Sequence, residues 1–166
     1  MKRILAGLLL SMFLTGCSAQ DTMETISDIL DVSVVANVQQ VQLSLPEEAA
    51  MATLENEDAG KLYLCDGYSV TVQTMESGDL DRTLRQVTGF SRDQLTVIST
   101  QRESFQRHDC AWSAVGEGGD QTCRGVVLDD GYYHYVVTVM ADAEKAGQLS
   151  ADWQHLLDSV TLVSTD

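Results

Sequence analysis

Side chains able to do chemistry are thinly spread along this chain. Among 166 residues there are four cysteines and three histidines, and only His108-Asp109-Cys110 puts an imidazole, a carboxylate and a thiol side by side. That tripeptide suggests a thiol nucleophile with its base. On a strand, however, His108 and Cys110 stand about 6.5–7 Å apart, beyond the reach of a hydrogen bond between fixed groups. His134 falls in a strand whose other face carries Tyr133, Tyr135, Val137 and Val139, and it reads as half-exposed. Counting back from a turn at Asp130-Gly131 puts it opposite Val127, roughly 13 Å along the strand from Cys123. His155 lies between Asp152 and Asp158 on the polar side of the last helix, a solvated position.

No metal or cofactor site is expected. The histidines are scattered without His-x-His or His-x3-His spacing. Asp129-Asp130-Gly131 and Asp66-Gly67 lack the twelve-residue loop and terminal Glu of a calcium hand, and both are better explained as turns. Gly116-Glu117-Gly118-Gly119 is followed by neither Lys-Ser/Thr nor a helix, so it is no phosphate cradle. No serine has a nucleophile-elbow context. Tyr132, Tyr133 and Tyr135, with Trp112 nearby, could form a small aromatic surface, half of which alternation must bury.

The leader is more specific. Met1-Lys2-Arg3 is a positive start, Ile4 to Phe13 is a short apolar run too brief to span a bilayer, and Leu14-Thr15-Gly16-Cys17 follows. These four residues resemble the lipobox of bacterial lipoprotein precursors. The resemblance implies residues 1–16 as signal peptide, diacylglycerol on the Cys17 thiol and, after cleavage, a fatty acid such as palmitate on its amino group. Two or three acyl chains hold a protein at a membrane where one does not. Ser18 resembles the pattern that, in a two-membrane bacterium, allows passage to the outer membrane. Residues 17–38 then form a lipidated tether carrying Asp21, Glu24, Asp28 and Asp31, with Ile26, Ile29 and Leu30 at helical spacing.

Lipidation removes one cysteine from the count. Three remain in an oxidising compartment. If the hairpin turns at Gly116-Glu117, Val115 faces Gly118 and Cys110 falls opposite Cys123, about 4.5 Å away between Cα atoms. A Cys110–Cys123 disulfide is therefore expected, stabilising the domain by about 3 kcal/mol. Cys65 falls opposite Tyr68 on a core face, as a buried inert thiol.

Positioning these residues requires an α+β domain over 39–166. Val41 and Leu43 alternate with polar residues as a strand, and Pro46-Glu47-Glu48-Ala49-Ala50 reads as a helix start. Leu62–Cys65 and Tyr68–Met75 form a hairpin around Asp66-Gly67. Asp79 caps a helix with Leu80, Leu84 and Val87 apolar and Gly89 as its stop. Leu95, Val97 and Ile98 mark a strand, and three meandering strands follow at 107–115, 121–128 and 132–140. A helix capped by Ser150 places Trp153, Leu156, Leu157 and Val160 on one face, before a short strand at Thr161–Val163. There is no internal repeat and no low-complexity segment.

The closing Ala151-Asp152-Trp153-Gln154-His155-Leu156-Leu157-Asp158-Ser159-Val160 resembles the terminal helix of the PsbP-like superfamily, which includes the DcrB-like lipoproteins. The resemblance implies an antiparallel sheet with helices packed on its faces and a binding or assembly role without catalytic residues.

Charge narrows the partners. The net charge is −15, and loss of Lys2 and Arg3 with the leader makes it −17. Nucleic acid, bound through Lys and Arg, is excluded. The 44% hydrophobic content, one Pro and 12 Gly fit a globular domain. The expected function is a non-enzymatic envelope module, lipid-anchored on the extracytoplasmic side, that binds an envelope protein or small ligand. An envelope thiol or hydrolytic enzyme centred on His108 and Cys110 is the alternative from a different class.

Overall fold

Gly125-Val126-Val127-Leu128 and Tyr135-Val136-Val137 are apolar or small at consecutive positions, a pattern suited to strands covered on both faces. In a computed structural model, which describes residues 38–53, 60–116 and 118–164, these strands lie at the middle of a sheet. The lipobox, Cys17 and residues 18–37 lie outside the described residues.

The strands among the described residues are β1 (Gln40–Gln42), β2 (Ala50–Ala52), β3 (Lys61–Cys65), β4 (Tyr68–Glu76), β5 (Thr96–Gln101), β6 (Gln106–Gly116), β7 (Gly119–Asp129), β8 (Tyr133–Asp142) and β9 (Thr161–Val163). Helix α1 (Leu80–Thr88) and a 3-10 turn (Arg92–Gln94) connect β4 to β5, and α2 (Ala143–Asp158) connects β8 to β9. Seven strands form one antiparallel sheet in the order β2-β3-β4-β8-β7-β6-β5, while β1 pairs only with β9. The β4-to-β5 connection must pass over β8, β7 and β6, which lays α1 across one face. Helix α2 covers the other.

Both faces hold a core. Trp153, Leu156, Leu157 and Val160 pack with Val70, Val126, Leu128, Tyr135, Val137 and Val139 under α2. Leu84 of α1 packs with Cys110, Val127 and Val136 on the opposite face. Helix α1 begins and ends where its sequence dictates. The Asp79 carboxylate accepts from the Asp81 amide at 3.1 Å, and Gly89 takes a left-handed φ of 80°.

Three expectations are corrected. Pro46–Ala49 makes a single turn, with the Ala49 amide donating to Pro46 at 3.1 Å, and the chain is then captured as edge strand β2 by Leu64, Tyr63 and Leu62. Edge pairing overrides the helix signal. Helix α2 starts at Ala143, two turns before Ser150, because Ala143-Glu144-Lys145-Ala146 are strong helix formers despite Gly147. The turn after β7 is longer than two residues: Asp129 pairs with His134, and Val127 with Val136.

Candidate functional site

The β6–β7 register decides whether the thiols can serve the enzymatic alternative. Gly116 pairs with Gly119, so Cys110 faces Gly125 and Cys123 faces Trp112. The expected register is wrong by two residues. The hairpin closes later than a turn at Gly116-Glu117 would allow. Cys110 and Cys123 are diagonal neighbours on one face, roughly 7–8 Å apart in such a lattice, too far for a disulfide without backbone movement. Gly125 leaves room for the Trp112 ring, which a Cβ there would meet at 3.2 Å. The indole thus occupies the opposite diagonal of this four-residue square, and both cysteines are free thiols.

Neither is poised as a nucleophile. Cys110 is buried and its thiol is pushed up to about 11, chiefly by burial and then by the Asp109 charge. Burial also raises Cys123. His108 bonds Ser99 Oγ through Nδ1 at 2.8 Å and has no bond to Cys110 among the described contacts. Cys65 is half-buried opposite Tyr68, with its thiol raised by burial although the Tyr68 hydroxyl donates toward it. Iodoacetamide applied to the native chain at pH 7.5 should label Cys65 slowly and spare Cys110 and Cys123; denaturation should expose all three, without prior reduction. A linked Cys110–Cys123 peptide in non-reducing mass mapping would overturn this register.

A second polar group lies under α1. His134, expected half-exposed, has no exposed surface at all. Its Nδ1 is 2.7 Å from Thr83 Oγ1, and its Nε2 lies 3.4 Å from Ser77 Oγ and 3.5 Å from Asp129 Oδ2. Ser77 donates to Asp129 Oδ1 at 3.3 Å. A hydroxyl, an imidazole and a carboxylate are together, but not in the order that acyl transfer needs. In a catalytic triad the carboxylate holds Nδ1 while the nucleophile takes Nε2. Here Asp129 and Ser77 share the Nε2 side, and Thr83 occupies Nδ1. The group joins α1 and its leading loop to the end of β7 and the start of β8.

The Asp129-Asp130-Gly131 segment is also structural. Asp130 Oδ1 accepts from the amides of Tyr132 and Tyr133 at 2.8 and 2.7 Å, and Oδ2 accepts from the Tyr135 hydroxyl and Gln39 at 3.0 and 3.2 Å. Burial opposes its charge, yet these four donors together hold its carboxyl below the usual range. Among the described residues no three His, Cys, Asp or Glu side chains form a metal-holding group. The tyrosines divide as alternation requires: Tyr135 is buried, Tyr133 half-buried and Tyr132 exposed, with Trp112 on the other sheet face. They form no common surface with it.

What the fold does assemble is a cleft beside α2. Three separated segments build it. The Ser44 amide donates to Ser159 Oγ at 2.8 Å, which sets Leu45, Pro46, Glu47 and Glu48 along the helix. The β3–β4 turn supplies Asp66, where Gly67 adopts a φ of 80° and a Cβ would meet Leu149 Cδ1 and Lys145 Cδ, each at 4.0 Å. Helix α2 contributes Leu149, Asp152 and Leu156 at i, i+3 and i+7, with His155 beside them. Tyr68 lies in the wall, its ring edge-on to Trp153 at 6.2 Å. The cleft measures about 540 Å3, inside the range of about 300–1,000 Å3 for ligand sites.

Its electrostatics are one-sided. Glu47, Glu48, Asp66 and Asp152 line it without a lysine or arginine among the lining residues. Burial raises the Tyr68 phenol, and the charges of Cys65, Asp152 and Glu48 raise it further. Some acids elsewhere hold partners: Asp81 holds Arg85, Asp109 holds Arg107, and Asp142 holds Lys145, each within 3.2 Å. None of the four cleft carboxylates makes an ion pair or side-chain hydrogen bond with a described residue. No local spacing foreshadows this site, because Glu48 and Asp152 lie about a hundred residues apart in the chain.

Solved structures similar to this fold include three described by source. Cyanobacterial PsbP (CyanoP) from Synechocystis sp. PCC 6803 superposes with a TM-score of 0.55 at 9% identity, covering 81% of this chain and 99% of that one. LpqN of Mycobacterium tuberculosis, described as involved in cell envelope biogenesis, gives 0.51 at 11% identity over 79% and 87% of the two chains. The fold is PsbP-like. A protein from Bacteroides thetaiotaomicron also matches, at 0.51 and 8% identity, but this chain spans only 45% of it. No family model matches the chain, and no curated protein matches its sequence. At these identities the likeness establishes the PsbP-like, α+β architecture, as the closing helix implied.

Proposed function

We propose that this chain is a cell-envelope lipoprotein, held at a membrane by lipid on Cys17, whose PsbP-like domain binds a partner through the cleft beside α2. One contrast carries the reading. His108 and His134 are buried in hydrogen bonds that hold the fold together, and Cys110 and Cys123 are buried beside them in the sheet, whereas the cleft carboxylates are exposed and have no side-chain partner among the described residues. The cell-envelope description of LpqN supports the compartment. No helix among the described residues is long and apolar enough to cross a membrane, so attachment in this reading runs through acyl chains, each worth about 0.8 kcal/mol per buried methylene.

Fractionation of cells expressing the full chain tests the anchor. The native chain should sediment with membranes, and Cys17→Ser should appear in the soluble extracytoplasmic fraction or medium. A Cys17→Ser chain that still sediments with membranes and resists carbonate extraction would sink the lipid assignment.

A further inference from the structure

We infer that the cleft beside α2 receives a basic, apolar peptide segment of a partner protein, one that alternates Lys or Arg with aliphatic side chains. The inference rests on the reading of this domain as a binding module and deepens it. Two features of the cleft select this occupant. The first is charge: Glu47, Glu48, Asp66 and Asp152 line it, and Lys145, whose stem passes the Gly67 turn, carries its ammonium to Asp142 at 3.2 Å. The second is dispersion of that charge. The four carboxylates come from three segments, and no three acidic, histidine or cysteine groups among the described residues converge on one point. A single metal ion therefore finds no cage here. An occupant must spread several positive charges over several ångströms.

The walls are also apolar in part. Leu45, Leu149 and the Tyr68 ring, each partly exposed, line the cleft together with the acids, so a purely polar cation would leave this surface uncovered. A peptide that places lysines outward to the rim and leucines toward the helix satisfies both demands.

The probe is a fluorescein-labelled Lys-Leu-Lys-Leu-Lys peptide, titrated by anisotropy against the full-length chain in neutral phosphatidylcholine vesicles, with protein-free vesicles as background. Binding should weaken at least tenfold in Glu48→Gln/Asp152→Asn. It should stay within twofold in Glu76→Gln/Glu103→Gln, which removes the same charge from exposed positions elsewhere. The single variants Glu48→Gln and Asp152→Asn should each show part of the loss with an unchanged melting temperature. Equal weakening by both double variants would reduce the effect to overall charge and overturn the proposal. So would equal binding of Lys-Ser-Lys-Ser-Lys, which would show that the apolar wall is unused. Displacement of the probe by spermidine as effectively as by unlabelled peptide would assign the cleft to small organic cations instead. Failure of the binding-module reading itself shows separately, as a Cys110 that alkylates in the native protein.

Discussion

Trp153→Ala is expected to destabilise the domain by about 3–5 kcal/mol, the range for emptying a buried aromatic site. Trp153 is 1% exposed and sits where α2 meets the sheet, in the larger of the two cores. Its ring supports the Tyr68 ring at 6.2 Å, edge to face, so its removal also loosens a wall of the cleft. Thermal unfolding by circular dichroism should show a midpoint lower by on the order of 10–20 °C. Trp153→Phe is the informative companion. The indole Nε1 has no acceptor, so losing that N–H breaks no hydrogen bond, and the remaining loss is one of volume. Phenylalanine should therefore retain most of the stability. A loss below about 1 kcal/mol for Trp153→Ala would contradict the packing described.

The second large effect concerns the polar group under α1. His134→Leu should cost about 2–4 kcal/mol. The ring is fully buried, and its removal leaves the Thr83 hydroxyl, itself only 5% exposed, without its partner at 2.7 Å. Thr83→Val should cost less alone, because the imidazole keeps Ser77 and Asp129 near its Nε2. The double variant should cost less than the sum of the singles, since both members of the buried bond are then apolar. Strict additivity in denaturant unfolding would show that the Thr83–His134 bond does not hold the helix down.

Acid should weaken the same region. His108 lies on the face that α1 covers, and its pKa is held below 6.5 by burial first, then by Arg92 and His134, against the raising effect of Asp129 and Asp109. A histidine with a lowered folded pKa binds fewer protons than in the unfolded chain. Its contribution is thus full above pH 6.5 and is lost as pH falls through the folded value. Asp130, also lowered, acts in a separate window that opens only below 3.8. The midpoint of unfolding should decline from pH 6.5 downward, and His108→Gln should flatten the first part of that decline.

Local signals in the sequence were dependable where one residue decides the backbone. Asp79 and Gly89 bound α1 as a cap and a left-handed stop require, and Asp66-Gly67 turns the β3–β4 hairpin. Alternation misled in β8: it left His134 half-exposed, whereas a core covers each face of that strand. Register was less legible. A shift of one turn position moves every cross-strand partner, which displaced Cys110 from Cys123 to Gly125 and His134 from Val127 to Asp129. The helix expected at Pro46 failed for a different reason: backbone pairing to β3 stabilised an extended edge more than one helical turn could offset.

For function the division is similar. The sequence by itself determined the lipobox resemblance at Cys17, the acidic character and the α+β class, because these depend on composition and on residues adjacent in the chain. Only the tertiary structure decided the fate of the chemical groups. Burial and cross-strand geometry turned His108, His134 and Cys110 into parts of the scaffold. The same folding brought Glu48, Asp66 and Asp152 to one cleft, since hydrogen bonding between distant strands and the packing of α2 place residues that no local spacing connects.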